Sequence, residues 1–356
     1  MSREPNLGFG GFLLGLGAGW LIFQNLDLSR NVFAWLVILA GAAIVASSLI
    51  SWKSPGTNIG GLVGGLMGGA ILALFITTGF GFFTGTFDIG DLGDYRAEDT
   101  MSYGGVMTAD SVSLEVDNFN GQIRVSTWVK DEYSIDVTIR ARGSNTKEAE
   151  RRLEEYKVEF EESTVGGQGR LTLGYDIPST WTSRYSVQVE AALPRDATLD
   201  LDLASSNGAI TITDVTGDTL ILRTSNGQIS LDNVFAERID GDTSNGKISG
   251  RVEAPDTSLS TSNAAIDLKL PCTVTGRYIL DTSNGGIDVE VSSSEDVGYD
   301  VDLSTSNGSV DLDLPNLSYT TNQNTKKVAE TTGFEDKDVQ ITIRGHTSNA
   351  GVDVFD

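Results

Sequence analysis

The sequence TSNGQISL at residues 224–231 returns in close copies as TSNGKISG at residues 243–250, TSNGGIDV at residues 282–289 and TSNGSVDL at residues 305–312. Together with its variants, the motif places seven asparagines at Asn207, Asn226, Asn245, Asn263, Asn284, Asn307 and Asn349. Their successive intervals are 19, 19, 18, 21, 23 and 42 residues, and the last is close to two periods. A repeat of about 20 residues is typical of solenoids, in which each copy forms one coil and the coils stack.

Aliphatic residues alternate with polar ones on both sides of each asparagine. Three residues after it stand Ile210, Ile229, Ile248, Ile266, Ile287, Val310 and Val352. This period of two is the mark of half-buried strands, so we predict two strands per coil. Asn and Gly tolerate the left-handed conformation, which predicts a tight corner between the two strands. We therefore expect the isoleucines to stack in one buried column.

The same frame fits an earlier copy, Asn120-Gly121, which places the start of the repeats near Ser111. We predict an all-β parallel β-solenoid (a β-helix) over residues 111–356, right-handed by the crossover rule for parallel strands. A helix-hairpin insert is predicted at about residues 145–176, with Asn145 as the helix N-cap and glycines at the hairpin turn. Residues 317–332 are polar and are predicted to form an irregular loop.

The N-terminal part has a different composition. Residues 7–23, 32–50 and 59–83 contain no charged residue, which predicts a bundle of three transmembrane helices over residues 1–84. Glycines repeat there at four-residue intervals, a pattern that favours helix packing and oligomerisation. A cleaved signal peptide is the alternative for the first segment. Residues 85–110 are predicted to form an acidic, Gly-rich stalk. We expect an integral membrane protein whose C-terminal domain lies outside the cytoplasm.

The charge distribution excludes several classes of function. From Gly85 onward 22 basic residues face 47 acidic ones, a net charge of −25. Because nucleic-acid binding requires phosphates to be neutralised by Lys and Arg, we exclude nucleic acid as a partner. Cys272 and His346 are the only cysteine and histidine. The sequence therefore lacks the several cysteine or histidine ligands of a zinc site, and it offers a single histidine for a catalytic triad.

The repeated T-S-N-G-x-I-x-L units at residues 224–231, 243–248, 282–289 and 305–312 resemble a family of β-strand-repeat proteins named as adhesins, a domain family of unknown function. The helix-hairpin insert and the earlier N-G-x-I-x-V copy add to the resemblance, which covers about residues 111–356. It implies a β-solenoid tied to the cell envelope, in some members near envelope-stress regulators. It implies no chemistry and no binding residue.

Two rows of polar residues are candidates for a site. The asparagines are expected to bond from coil to coil as structural corners, and sugar binding is the alternative. Four residues after Asn263, Asn284 and Asn307 stand Asp267, Asp288 and Asp311. Stacked about 4.8 Å apart, these carboxylates would repel one another unless bridged, which suggests Ca²⁺ or another hard cation. The alternative is a solvated acidic face, and no other cofactor is expected.

Three functions are compatible with these features. We favour a membrane-anchored, extracytoplasmic binding, adhesion or surface-scaffold module that contacts a cell-surface polymer or another membrane protein. The alternative is an envelope-stress sensor or regulator that acts on a partner through its membrane segments. The third, an enzyme that processes polysaccharide with paired carboxylates, has no cleft or motif to support it. We therefore expect a protein that is not an enzyme.

Overall fold

The computed structural model of the protein describes residues 95–177 and 179–356, together with Leu13. The predicted fold class, a solenoid with a bundle of three transmembrane helices, is wrong in its membrane part: the described residues include no helix that is long and apolar enough to cross a bilayer. Their α-helix, α1 (Thr146–Glu155), has 10 residues, about half of what a bilayer requires. Apart from Leu13, the segments to which the bundle was assigned lie outside the described residues.

The described domain is built almost entirely of strands. In chain order they are β1 (Tyr95–Val106), β2 (Ser111–Asn118), β3 (Ile123–Trp128), β4 (Glu132–Gly143), β5 (Lys157–Val165), β6 (Gln168–Asp176), β7 (Tyr185–Pro194), β8 (Thr198–Ser205), β9 (Ile210–Thr224), β10 (Ile229–Thr243), β11 (Ile248–Glu253), β12 (Asp256–Thr261), β13 (Ile266–Leu270), β14 (Gly276–Thr282), β15 (Ile287–Val291), β16 (Val297–Thr305), β17 (Val310–Asp313), β18 (Leu317–Gln323), β19 (Lys326–Thr331), β20 (Val339–Thr347) and β21 (Val352–Phe355). Short 3-10 helices span Ser179–Arg184 and Phe334–Asp336.

Strand pairing arranges these elements in two sheets. The strands that precede the Asn corners, together with the hairpins β5–β6 and β18–β19, form the pre-corner sheet, in the order β5-β6-β2-β8-β9-β10-β12-β14-β20-β16-β19-β18. The strands that follow the corners, together with β1, β4 and β7, form the post-corner sheet, in the order β1-β4-β7-β3-β9-β10-β11-β13-β15-β21-β17. The long strands β9 and β10 contribute to both sheets and join them.

The predicted aliphatic column is present between the two sheets. Parallel register pairs Ile229 with Ile248, Ile248 with Ile266, and Ile266 with Ile287, and all four are fully buried. Burial of one such side chain contributes about 1.5–3 kcal/mol, so the column is a main source of stability. The repeats therefore pair in parallel, one coil on the next, as the alternation of apolar residues predicts.

The last repeat does not follow chain order. Strand β20 lies between β14 and β16, so the Asn349 coil is inserted between the Asn284 and Asn307 coils. Gly345 has no side chain, and Leu303 fills the space beside it, which lets β20 fit into this slot. The predicted irregular loop at residues 317–332 is instead the hairpin β18–β19, which pairs antiparallel with the other edge of β16.

Residues 145–176 contain the helix α1 and the hairpin β5–β6. The Asn145 side chain accepts a hydrogen bond from the Glu148 amide at 2.9 Å and caps α1, while β5 and β6 pair antiparallel on either side of Gly166 and Gly167. Strand β6 also pairs in parallel with β2, so the insert extends the pre-corner sheet. Within the predicted stalk, residues 95–106 form the strand β1, which pairs with β4.

Candidate functional site

The corner asparagines form one continuous ladder of side-chain amides. Apart from Asn120, the last acceptor, each asparagine donates its Nδ2 to the Oδ1 of the asparagine in the neighbouring coil, at distances between 2.5 and 2.8 Å. The bonds run in the order Asn307, Asn349, Asn284, Asn263, Asn245, Asn226, Asn207 and Asn120. Asn349 bonds both Asn307 and Asn284, as expected from the insertion of its coil between theirs. The ladder gives each corner asparagine a structural role and fixes the spacing of the coils along an exposed edge.

A second ladder lies buried beneath the asparagines. The hydroxyl of Thr243 donates to the Gly227 carbonyl of the neighbouring coil at 3.1 Å and accepts from the Gly246 amide of its own coil at 3.1 Å. The same hydroxyl-to-carbonyl bond recurs at Thr224, Thr261, Thr282, Thr305 and Thr347. These threonines are buried, so their hydroxyls are shielded from water. They pair backbone groups that no strand partner satisfies.

The corner glycines have a different role from the predicted one. Apart from Gly121, with φ 131°, the Asn-Gly corners do not adopt a positive φ. Glycine is favoured there because the close approach of the coils leaves little space for a side chain. A Cβ atom on Gly227 would lie 1.8 Å from the Gly208 carbonyl oxygen of the neighbouring coil. In four coils a residue with a side chain is left-handed at a second corner, which lies between the post-corner strand and the next strand of the pre-corner sheet. These residues are Asp214, Asn233, Cys272 and Asn316.

This second corner has its own polar contact, which the sequence reading missed. The Asn233 amide donates to Asp214 Oδ1 at 2.7 Å across neighbouring coils. Asp and Asn tolerate the left-handed conformation better than other residues with side chains. An Asp or Asn seven residues after the corner asparagine, at Asp214 and Asn233, is the sequence signal that marks it.

The predicted carboxylate row gains a fourth member and is partly neutralised. Asp353 lies between Asp288 and Asp311, because its coil is the inserted one. Asp267 pairs with Lys247, and Asp311 lies 3.6 Å from Lys327 Nζ. In the described residues no group of three or more His, Cys, Asp or Glu side chains is arranged to hold a metal ion. The bridging cation stays a prediction.

Asp288 lies between Asp267 and Asp353 in this row. Partial burial, followed by the charges of Asp267 and Asp353 and a hydrogen bond with Asp353, raises the pKa of Asp288. A raised carboxyl pKa means that the folded state favours the protonated form. Asp288 therefore makes its full contribution to stability below the pKa of about 4 that it has in the unfolded chain. This contribution is lost as the pH rises through the pKa of Asp288 in the folded state.

Replacing Asp288 with asparagine should therefore raise the melting temperature at neutral pH by about 1–3 °C, and the gain should vanish below about pH 4. Thermal unfolding of the full chain at a series of pH values measures this difference. The matched control is Asp281→Asn, which also removes one carboxylate from this acidic domain but lies on the pre-corner sheet. Equal gains in the two variants would contradict the interpretation.

Two recesses lie on the outer face of the post-corner sheet. The first, which we call the trough, crosses β4, β7, β3 and β9, and its floor is a row of small residues: Ser134, Ala192, Ser126 and Thr213. The second, the acidic recess, crosses β10, β11, β13, β15 and β21. Its lining includes Asp232, Ser249, Asp267, Asp288, Glu290 and Phe355.

The sequence reading did not identify the trough, since β4 and β7 are not copies of the repeat. The available signal was the alternation of buried Tyr133, Ile135 and Val137 with outward-facing Ser134 and Asp136. What no sequence signal gives is the pairing of β4 with β7, which aligns Ser134 with Ala192.

Groups with nucleophilic chemistry do not form a catalytic arrangement in the described residues. Cys272 is buried, and burial raises the pKa of its thiol to about 11, which disfavours the reactive thiolate. His346 Nδ1 lies 3.0 Å from Ser304 Oγ on an exposed strand face. Asp281 is in register with His346 on the neighbouring strand, but no hydrogen bond joins the two side chains.

Comparison with solved structures finds distant similarities. A "putative cell adhesion protein" from Clostridium sporogenes is 9% identical with a TM-score of 0.37, over 72% of this chain and 99% of that chain. A "putative adhesin" from Bacteroides fragilis is 10% identical with a TM-score of 0.33, over 71% of this chain and 97% of that one. A "putative lipid binding protein" from Parabacteroides distasonis is 10% identical with a TM-score of 0.34, over 73% and 97%. Similarities this distant transfer no function.

Sequence comparison identifies the family. No curated protein matches the chain. Residues 111–345, well over half of the chain, match a family of domains of unknown function, and this range begins at β2 and ends in β20. It therefore contains most of the paired coils, the trough and the Asn ladder up to Asn307. The chain belongs to the Toastrack DUF4097 family.

Proposed function

We propose that the described domain is a non-catalytic binding or adhesion module that acts outside the cytoplasm and holds a cell-surface ligand against the outer face of its post-corner sheet. One observation carries this proposal: the trough and the acidic recess lie on the same sheet face, and both are built from outward-facing side chains whose spacing is fixed by strand register. Binding sites are concave and combine apolar surface with a few fixed polar groups.

The supporting coils are suited to present such a face. Parallel register and the Asn ladder tie neighbouring coils together, and the buried Thr ladder adds to them from Thr224 onward. Preorganised side chains lose little conformational freedom on binding, so more of the contact energy appears as affinity. The acidic excess also disfavours nucleic acid and anionic lipid headgroups as ligands. A role as an envelope-stress sensor stays a prediction from the sequence.

Retention of envelope material on immobilised protein tests the proposal. The full chain is attached to beads in mild detergent and incubated with cell-surface polymers released from envelopes. We expect the native chain to retain polymer, and we expect Ser249→Arg, which fills the acidic recess, or Ser126→Arg, which fills the trough, to reduce retention at least several-fold.

The matched control is Ser258→Arg on the outer face of the pre-corner sheet, which introduces the same side chain on a strand. It should retain polymer as well as the native chain does. Equal retention by all three variants, or equal loss in all three, would contradict a binding role for the post-corner face.

A further inference from the structure

The trough has the dimensions and shape of a site for an extended ligand. Its floor follows one residue from each of four neighbouring strands, since Ser134 pairs with Ala192, Ala192 with Ser126, and Ser126 with Thr213. Adjacent strands lie about 4.8 Å apart, so the floor is about 14 Å long and runs across the strands. Four small side chains in a row leave a shallow channel there, which has room for an extended chain.

One wall of the trough is a row of hydrogen-bonding groups. It consists of Asp136, Glu190, Arg124 and Thr211, again one residue from each of the four strands. Arg124 Nη1 donates to Glu190 Oε1 at 2.7 Å, and Ser102 donates to Asp136 Oδ1 at 2.6 Å. These contacts hold the charged groups in place while Arg124 and Glu190 remain about half exposed. The wall therefore offers fixed donors and acceptors in the same line.

The far side of the trough is bordered by an aromatic ring. Trp128 follows Ser126 on the outward side of β3, and its Nε1 donates to the Glu132 carbonyl at 2.6 Å. The Lys130 ammonium lies 4.2 Å from the ring centroid and further fixes the side chain. A half-buried tryptophan provides flat apolar surface whose polar end is already satisfied. The trough thus combines an apolar platform with an opposing line of polar groups.

We propose that the trough binds a short segment of an uncharged polysaccharide. Sugar hydroxyls both donate and accept, which matches the two carboxylates, the guanidinium and the hydroxyl of the wall. The C–H face of a sugar ring packs on an indole, and the small floor leaves room for consecutive rings. Since Arg124 is already paired with Glu190 and the domain is strongly acidic, an anionic polymer would meet net repulsion. The inference rests on the proposed binding function and specifies the ligand class.

Titration of the full chain with defined sugars tests the inference. The probes are neutral hexasaccharides built of glucose, mannose, galactose or N-acetylglucosamine, with oligogalacturonate as the anionic probe, and binding is measured by calorimetry. We expect at least one neutral hexasaccharide to bind and the anionic probe to bind at least ten-fold more weakly. Trp128→Ala and Ser126→Arg should each weaken the neutral interaction at least ten-fold, while Trp128→Phe should retain more of it than the alanine variant.

Control variants separate this inference from the broader function. Ser258→Arg, on the pre-corner sheet, should bind sugar as the native chain does. Preference for the anionic probe, absence of binding by every neutral probe, or unchanged affinity in Ser126→Arg would overturn the sugar assignment. If envelope polymer is then still retained by the native chain and lost in Ser249→Arg, the binding function holds and only its assignment to sugar in the trough fails.

Discussion

Replacing Gly227 with valine is expected to lower the free energy of unfolding by more than about 3 kcal/mol. A Cβ atom at this position would lie 1.8 Å from the Gly208 carbonyl oxygen and 2.4 Å from its carbon, so the backbone of two coils would have to separate. Gly227 also donates its amide to Thr224 Oγ1 at 3.1 Å and accepts from Thr243 with its carbonyl. Separation would therefore weaken the buried Thr ladder on both sides.

The chain itself shows how a single methyl is accommodated at this position. Ala264 and Ala350 occupy the corner position that glycine holds in other coils. In the described structure their amides do not make the bond to the preceding threonine that Gly227, Gly246 and Gly285 make. Loss of one hydrogen bond costs about 0.5–1.5 kcal/mol, so Gly227→Ala should fall between the native chain and the valine variant.

Gly174→Val is the matched control. Gly174 lies in β6, and no atom would lie within 4 Å of a Cβ added there. Valine is favoured in strands, so this variant should be as stable as the native chain or slightly more stable. Chemical denaturation of the three variants, followed by circular dichroism, gives the ranking. If Gly227→Val unfolded at the same denaturant concentration as Gly174→Val, the close approach of the coils at the corner would be contradicted.

These glycines illustrate which parts of the fold the sequence predicts. The repeat and its alternation place Ile229 and Ile248 in a buried column because burial follows directly from strand periodicity. They do not reveal why Gly227 is glycine, since a left-handed residue and a close backbone approach both select the same residue type. The distinction depends on the neighbouring coil, which lies about 20 residues away in the sequence.

The order in which the coils stack could not be predicted from the sequence pattern for a similar reason. Nothing in the copy at Asn349 distinguishes a coil added after Asn307 from one inserted before it. The insertion depends on the hairpin β18–β19, which occupies the outer edge of β16, and on the space beside Gly345. This order places Asp353 between Asp288 and Asp311, so four carboxylates stand in register where the sequence predicts a row of Asp267, Asp288 and Asp311.

The trough was missed because its parts have no common motif. Ser126 and Trp128 follow an Asn-Gly corner, but Ser134 and Ala192 belong to the antiparallel pair β4–β7, which the repeat does not contain. Small outward-facing residues carry no signal by themselves. They become a channel only when strand register aligns them, and register between segments more than 50 residues apart is a tertiary property.

Replacing Thr243 with valine is expected to lower the free energy of unfolding by about 2–4 kcal/mol. The two side chains have nearly the same shape, so the cavity and packing terms are small. The loss comes from the Gly227 carbonyl and the Gly246 amide, which the hydroxyl pairs at 3.1 Å each. Thr243 is 1% exposed, so water cannot replace the hydroxyl without opening the corner. Two buried backbone groups would be left without partners.

Thr243→Ser separates the hydrogen bonds from the methyl group. Ser205 fills the equivalent position in an earlier coil, where its hydroxyl accepts from the Gly208 amide at 3.0 Å. Serine at 243 can keep both bonds and loses only one buried methyl, so it should cost about 1 kcal/mol. Equal destabilisation by serine and valine, measured by chemical denaturation, would show that packing and not hydrogen bonding sets the value.

Thr257→Val is a second control. It makes the same Thr→Val replacement at another buried position, where we expect the free energy of unfolding to rise. Thr257 is also fully buried, but its hydroxyl has no hydrogen-bond partner, and it lies between Ile239 and Tyr278 in the core of the pre-corner sheet. An unpaired buried hydroxyl opposes folding by about 1–3 kcal/mol, so valine should stabilise the domain here. One substitution, Thr→Val, therefore has opposite effects at two buried sites, and the sign depends on whether the hydroxyl bonds a neighbouring coil. A loss of stability at both sites would contradict the assignment of the Thr ladder as the contact that holds the corners together.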